Sequence, residues 1–167
     1  MLADDVYAIA KPLIQEFERC SLREYLDLRG LPTIGWGLRI KHGQYPNGIT
    51  QQQADLLFQH SMEGFYNGVI KIANLTGALP CELAAMTSFA YNIGFGQWHP
   101  FEDGLMTSTL LRKYNHNDKL GASKEFVRWD HAGGVEVEGL LRRRMCEGMI
   151  FQGRTVDEMK KLKWLDA

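Results

Sequence analysis

Residues 18–37 read ERCSLREYLDLRGLPTIGWG. They hold two carboxylates, Glu18 and Asp27, one hydroxyl, Thr33, and a glycine-rich close, Ile34-Gly35-Trp36-Gly37. Asp27 follows Glu18 by nine positions and Thr33 follows Asp27 by six, so the three side chains meet only where the chain doubles back. A hairpin does this. Leu28-Arg29-Gly30 offers a turn whose glycine is free to take positive φ, and the flanks, residues 23–26 and 33–36, are short and carry β-branched or aromatic side chains. Glu18 then falls at the end of the preceding helix. Two carboxylates across a cleft suit glycoside hydrolysis: one stays protonated to donate to the leaving oxygen, the other ionised to handle water or the developing oxocarbenium charge. Thr33 is placed to hold that water. Spacing alone does not separate this from solvated acids on a small hairpin.

Working outward, Asp4 or Asp5 reads as the N-cap of a first helix whose Val6, Ile9, Ala10, Leu13, Ile14 and Phe17 share one face. Pro12 inside that pattern predicts a kink or a split. After the hairpin, residues 41–48 are a polar loop ending in Pro46-Asn47-Gly48. Thr50 and Gln53 form a capping box. The helix it starts keeps Ala54, Leu57, Phe58, Met62, Phe65, Val69 and Ile72 on one stripe to about Ala73, on the order of 35 Å at the rise of an α-helix. Pro80 opens a helix to about Asn92. Residues 94–104 read as a loop whose Phe95, Trp98 and Phe101 either line a sugar groove or sit as core beneath it. Thr107 or Ser108 caps a helix with Leu110, Leu111 and Tyr114, and another starts near Ser123 and runs through Phe126 and Trp129. Gly133-Gly134 marks a sharp turn. The next helix carries Leu140, Leu141, Met145 and Ile150, with Arg142-Arg143-Arg144 as a solvated basic face paired to Glu138 or Glu147, or with one arginine meeting a substrate carboxylate. Thr155 and Glu158 cap a short last helix to Leu165.

At 167 residues the chain is one domain, and a hydrophobic fraction of 45% excludes a disordered protein. A net charge of −1 gives no case for nucleic acid. Residues 105–167 carry 12 Lys/Arg against 9 Asp/Glu, a mildly basic part suited to an anionic polymer or simply an ordinary mixed surface. Three cysteines without a Cys-x-x-Cys pair predict reduced thiols, and five scattered histidines predict no metal site. The start MLADDVYAIA has acids where a signal peptide has cations, and no stretch approaches the roughly 20 apolar residues of a membrane span. The expectation is a protein made in a cytoplasm.

The opening stretch resembles the phage-type lysozymes, the muramidases of the T4 and P22 endolysin kind. The shared motif is Glu18, eight residues, Asp27, five residues, Thr33, then Ile-Gly-aromatic-Gly. Further pieces follow in the family's order: Phe89-Ala90-Tyr91-Asn92-Ile93-Gly94, Ser108-Thr109-Leu110-Leu111, residues 126–129, Gly133-Gly134, and Gly139-Leu140 with Arg142, Arg143 and Glu147. Two positions depart from the family pattern: Arg19, where Gly usually follows the Glu, and Leu38, where His usually follows the Gly-aromatic-Gly run.

The resemblance implies an α+β, mainly helical lysozyme fold in a single domain over residues 1–167. A small lobe with a β-hairpin (about 19–48), a connecting helix (about 50–74) and a helical carboxyl-terminal lobe (about 78–167) would enclose a cleft. It implies hydrolysis of the β-1,4 bond between N-acetylmuramic acid and N-acetylglucosamine in peptidoglycan, with inversion. Glu18 would be the general acid, Asp27 would place water or stabilise the cationic transition state, and Thr33 would orient that water. Trp36, Tyr91, Asn92, Ser108 and Arg142 would contact substrate. No cofactor is implied. The expected setting is a monomer without nucleic-acid partners or stable membrane insertion, acting on the wall in the periplasm with a holin or a secretion system giving access. A phage endolysin fits this best; a secreted antibacterial effector or a prophage remnant would read the same. A lytic transglycosylase is disfavoured by the retained Asp27 and Thr33, and a non-catalytic wall-binding module by the intact triad.

Overall fold

In α1 (Leu2–Phe17), Val6, Ala10, Leu13 and Ile14 are buried on one stripe at helical spacing. The computed structural model describes residues 2–27, 30–96, 103–132 and 135–161. One expectation for this helix is corrected, and of the two offered for Pro12 the split is ruled out. Asp4 and Asp5 lie within its first turn and do not cap it, and Pro12 neither splits nor ends it. The bond Pro12 cannot make is the one to the carbonyl of Ala8, an exposed residue, where a missing backbone bond costs least.

Three strands follow, β1 (Ser21–Leu26), β2 (Pro32–Gly35) and β3 (Leu38–Arg39), paired antiparallel in that order. The hairpin flanks are as the sequence predicts; β3 is an addition to it. Register sets Tyr25 opposite Thr33 and Thr33 opposite Arg39, so these three form a row across the sheet. Ile34 points to the other face, fully buried in a small cluster with Ile49 and Ala54.

α2 (Gln51–Ile72) begins at Thr50, whose hydroxyl accepts the Gln53 N–H at 3.2 Å while the Gln53 side chain accepts the Thr50 N–H at 2.8 Å. Its Ala54 belongs to the small cluster under the sheet, whereas Phe58, Met62, Tyr66 and Val69 belong to the main core. One helix therefore serves both cores. α3 (Pro80–Ile93) lies at the centre of the main core, packed by α1, α2 and a later helix, and is buried continuously from Glu82 to Ala90. Ala84, Ala85, Ser88 and Ala90 keep it narrow enough to be surrounded.

Beyond it, α4 (Thr109–Asn115) is capped by Ser108 and α5 (Lys119–Ser123) by Asp118. Here the sequence reading is corrected: Ser123 ends a helix instead of starting one, and residues Phe126–Trp129 form a separate 3-10 turn. Two short strands, β4 (His131–Ala132) and β5 (Val135–Glu136), pair antiparallel before α6 (Glu138–Phe151) and α7 (Val156–Lys161). The predicted turn at Gly133-Gly134 and the helix end at Leu165 lie outside the described residues, as do Trp98 and Phe101. Phe95 packs as core: its ring stacks on Phe65 at 5.7 Å and lies where Gly68 leaves room beside α2. The three cysteines are free. Among the described residues no helix is long and apolar enough to cross a membrane.

α6 departs most from the sequence reading. Its buried side carries Arg143, Arg144, Cys146, Glu147, Gly148, Ile150 and Phe151, while Leu140, Leu141 and Met145 are only partly buried. Two of the three arginines therefore enter the core instead of forming a solvated face.

Candidate active site

Glu18 is the first residue past α1, its N–H still donating to the Ile14 carbonyl at 3.0 Å. Position is therefore inherited from a buried helix. Its Oε1 accepts from Arg143 Nη1 at 2.5 Å, and the Arg143 guanidinium lies over the Phe17 ring at 5.6 Å. Arg143 comes from α6, 125 residues away in the chain.

On the other side of Glu18 stands the turn between β2 and β3. Gly37 has φ +82°, and a Cβ there would lie 2.7 Å from Glu18 Oε2. Only glycine allows both that conformation and that approach. Trp36 anchors the turn three ways: its carbonyl accepts the Tyr91 hydroxyl at 2.6 Å, its indole Nε1 donates to Asp55 at 2.8 Å, and its ring packs on Phe58 at 6.2 Å. Burial first, and then the negative charge of Glu18, push the Tyr91 phenol well above the usual tyrosine range. Tyr91 is thus held as a proton donor to that carbonyl.

Asp27 follows β1 directly. Its Oδ1 accepts the Leu31 N–H at 2.9 Å and its carbonyl accepts the Gly30 N–H at 2.8 Å, closing the hairpin turn. Arg39 lies 3.9 Å from its Oδ2. Thr33 is buried, with its hydroxyl donating to the Leu31 carbonyl at 3.0 Å. The row Tyr25, Thr33, Arg39, with Asp27 two residues beyond Tyr25, forms one face of the sheet. Burial first, then Glu18 and then Asp27, raise the Tyr25 phenol, so this ring stands within electrostatic reach of both carboxylates.

Behind Glu18 lies a cluster of buried charge. Arg143 Nε donates to Glu147 Oε1 at 3.2 Å, and its Nη2 donates to the Ser88 carbonyl at 3.3 Å. Ser88 Oγ donates to the same Glu147 oxygen at 2.7 Å. Arg144 Nε is 3.2 Å from Glu147 Oε2, while Nη2 donates to the Asn92 side chain at 2.8 Å. Glu147 and Arg144 are completely buried. Two cations balance two anions, which is the condition under which such a group survives in a core. Burial pulls the Arg143 guanidinium down, but Glu18 and Glu147 outweigh it and the net shift is upward.

A sequence model of the phage lysozyme family matches residues 15–147, the span that holds Glu18, the sheet, α3 and α6 through Glu147. The chain belongs to the phage lysozyme family. The endolysin of Bacillus phage PZA is 30% identical over 148 residues, and this chain spans about half of that relative, 53% of its length against 86% of its own. The endolysin of Acyrthosiphon pisum secondary endosymbiont phage 1 is 29% identical and is covered over 92% of its length. Among solved structures, the endolysin from Escherichia coli O157:H7 phage FAHEc1 superposes with a TM-score of 0.70 at 27% identity, covering 90% of this chain and 92% of that one. The lysozyme fold is therefore this chain's fold.

Within that fold the sequence-predicted residues divide. Glu18, Asp27, Thr33, Trp36 and Tyr91 gather around the sheet and the end of α1. Asn92 belongs to the buried charge cluster through Arg144. Ser108 caps α4, accepting from Leu111 N–H and donating to the Leu105 carbonyl at 2.6 Å. Arg142 pairs with Glu138 on the outer side of α6 at 2.6 Å. Sequence reasoning named Gly37 and Arg143 without giving either a place beside Glu18, and it passed over Arg39 and Tyr25. Arg143 had a signal: positions 143, 146, 147 and 150 repeat at helical spacing and include the apolar Cys146 and Ile150.

Proposed function

We propose that this chain is a peptidoglycan hydrolase, a muramidase of the endolysin type that cleaves the β-1,4 bond between N-acetylmuramic acid and N-acetylglucosamine. The observation that carries the reading is the placement of Glu18, fixed by α1 behind it, Arg143 beside it and the backbone of Gly37 against it, with Thr33 on the strand that leads into that turn and Asp27 at the end of the strand paired with it. A carboxyl held so firmly is pre-aligned for one proton transfer.

In this reading Glu18 donates its proton to the glycosidic oxygen as the bond breaks. Asp27, turned into the cleft by the Leu31 N–H, holds the attacking water or stabilises the positive charge on the sugar, and Thr33 orients that water. The sheet with its small cluster and the helical body form the two walls of the cleft, and α2 spans them. The product keeps a free reducing end and is inverted at the anomeric carbon. The protein acts as a monomer on the wall in the periplasm, reached with the help of a holin or a secretion system.

Mass spectrometry of fragments released from purified peptidoglycan tests this with the wild type beside Glu18→Gln. Reducing-end muramic acid from the wild type, with release by the variant lower by about 10²-fold or more, is the expected result. Anhydro-muramic products would make it a transglycosylase, and no release from either protein would leave a wall-binding module. Access is checked separately: cytoplasmic expression alone should leave cells intact until the inner membrane is permeabilised.

A further inference from the structure

Arg143 serves two carboxylates at once. Its Nη1 reaches Glu18 at 2.5 Å and its Nε reaches Glu147 at 3.2 Å, the first in the cleft and the second fully buried. Glu147 in turn receives Ser88 Oγ at 2.7 Å and faces Arg144 Nε at 3.2 Å. Arg144 Nε and Nη1 and Glu147 Oε2 have no fully formed hydrogen bond among the described residues, so this pair holds together by charge and not by directed bonds. That leaves its balance adjustable.

A general acid must keep its proton until substrate arrives, yet a lone guanidinium at hydrogen-bond distance favours the ionised carboxylate. From this geometry we infer that Glu147 and Arg144 are positioning residues that set how strongly Arg143 grips Glu18, and so fix the pH above which the enzyme loses its acid. Glu147 draws part of the Arg143 charge away from Glu18. Arg144 opposes it by engaging Glu147 from the far side. Besides these two, the charged and titratable groups acting on Glu18 among the described residues include Arg143 from α6, Tyr25 from β1 and Tyr91 from α3. This inference rests on the reading of Glu18 as the acid.

The two residues carry opposite charge, so their neutral variants should act in opposite directions. In Glu147→Gln, Arg143 is left wholly to Glu18, and the alkaline limb of the kcat/KM profile should fall by about one pH unit. In Arg144→Met, Glu147 is left wholly to Arg143, and the same limb should rise. A purely structural role would lower activity and stability without moving the limb. Glu147→Asp keeps the charge and should keep the wild-type limb, whatever it costs in melting temperature.

The experiment is the pH profile of peptidoglycan solubilisation for these variants and for Glu18→Gln, with folding checked by circular dichroism. Opposite shifts support the inference, and one folded variant with its predicted shift suffices to support it. An unmoved limb, or two shifts of the same sign, overturns it. If neither neutral variant folds, Ser88→Ala, which takes one donor from Glu147 and leaves its charge more fully to Arg143, should raise the limb, and an unmoved or lowered limb then overturns the inference. Glu18→Gln with wild-type release would instead overturn the reading of Glu18 as the acid, regardless of the other variants.

Discussion

Replacing Gly37 by alanine separates conformational strain from steric intrusion on Glu18. At φ +82° any side chain is strained, and a left-handed non-glycine residue costs about 1–2 kcal/mol. For a chain of this size that lowers the melting temperature by about 2–8 °C. The second effect is local. A Cβ at position 37 would stand 2.7 Å from Glu18 Oε2 and 3.2 Å from its carboxyl carbon, inside van der Waals contact. The carboxyl must retreat by several tenths of an ångström, but Arg143 holds its other oxygen at 2.5 Å. Misplacing a catalytic group by about 1 Å costs on the order of 10²-fold, so Gly37→Ala should lose about 10- to 100-fold in kcat while remaining folded. Gly77→Ala is the matched control, because Gly77 has φ +66° with nothing within 4 Å of its would-be Cβ. Both variants would be compared by thermal melting and by turbidity loss of purified walls, well below either melting temperature. A Gly37→Ala enzyme as active as Gly77→Ala at similar stability would refute the close approach of this turn to the acid.

Thr50→Ala removes the hydroxyl of the α2 capping box and should cost about 1 kcal/mol in chemical denaturation, with kcat unchanged. Tyr91→Phe leaves the buried Trp36 carbonyl without its 2.6 Å donor and should cost about 1–3 kcal/mol, with a loss of activity that Thr50→Ala lacks. The phenols of Tyr91 and Tyr114 are both held above the ordinary 10.0 by burial first, and then by Glu18 and Glu82 respectively. A group whose folded value is raised gives stability that is fully present below its unfolded value and is lost as pH climbs past it. Stability should therefore fall above about pH 10, by up to about 1.4 kcal/mol per pH unit for each tyrosine. Urea midpoints at pH 9 and 11 test this, and Tyr114→Phe should flatten the decline.

The local signals in the sequence were physical ones, and where they were local they survived. The Thr50–Gln53 box, Pro80 at a helix start and Gly30 in the hairpin turn each satisfy backbone demands within a few residues. The hairpin was legible because a glycine turn between two short flanks rich in β-branched and aromatic residues is a local signal. What stayed hidden depends on distant partners. Pro12 reads as a helix breaker until the exposure of Ala8 is known, and β3 is too short to carry a pattern. Asn92 and Ser108 stand in shared motifs, yet their polar atoms meet Arg144 and the α4 cap. The cap at Ser108 is local and was legible as a cap; the partner of Asn92, 52 residues away, was not.

Arg143 and Arg144 show why polarity alone misplaces a helix face. Hydrophobic periodicity assumes that a charged side chain prefers water, and for an isolated arginine that is correct. The assumption fails when an equal number of opposite charges gathers at the same spot, whether from the same helix or from another element. Here Glu18 arrives at the end of α1 and Glu147 lies one turn from Arg143 on α6 itself, so the four charges cancel. Removing any one leaves an uncompensated charge in the core, typically a loss of about 3–5 kcal/mol, whereas an apolar set of similar volume would often be no less stable. Stability therefore does not explain the cluster. What sets its outer end apart is exposure: the Glu18 side chain is 18% exposed, against 4% or less for the other three. On the proposal that Glu18 is the acid, the buried three act on the one group that gains and loses a proton.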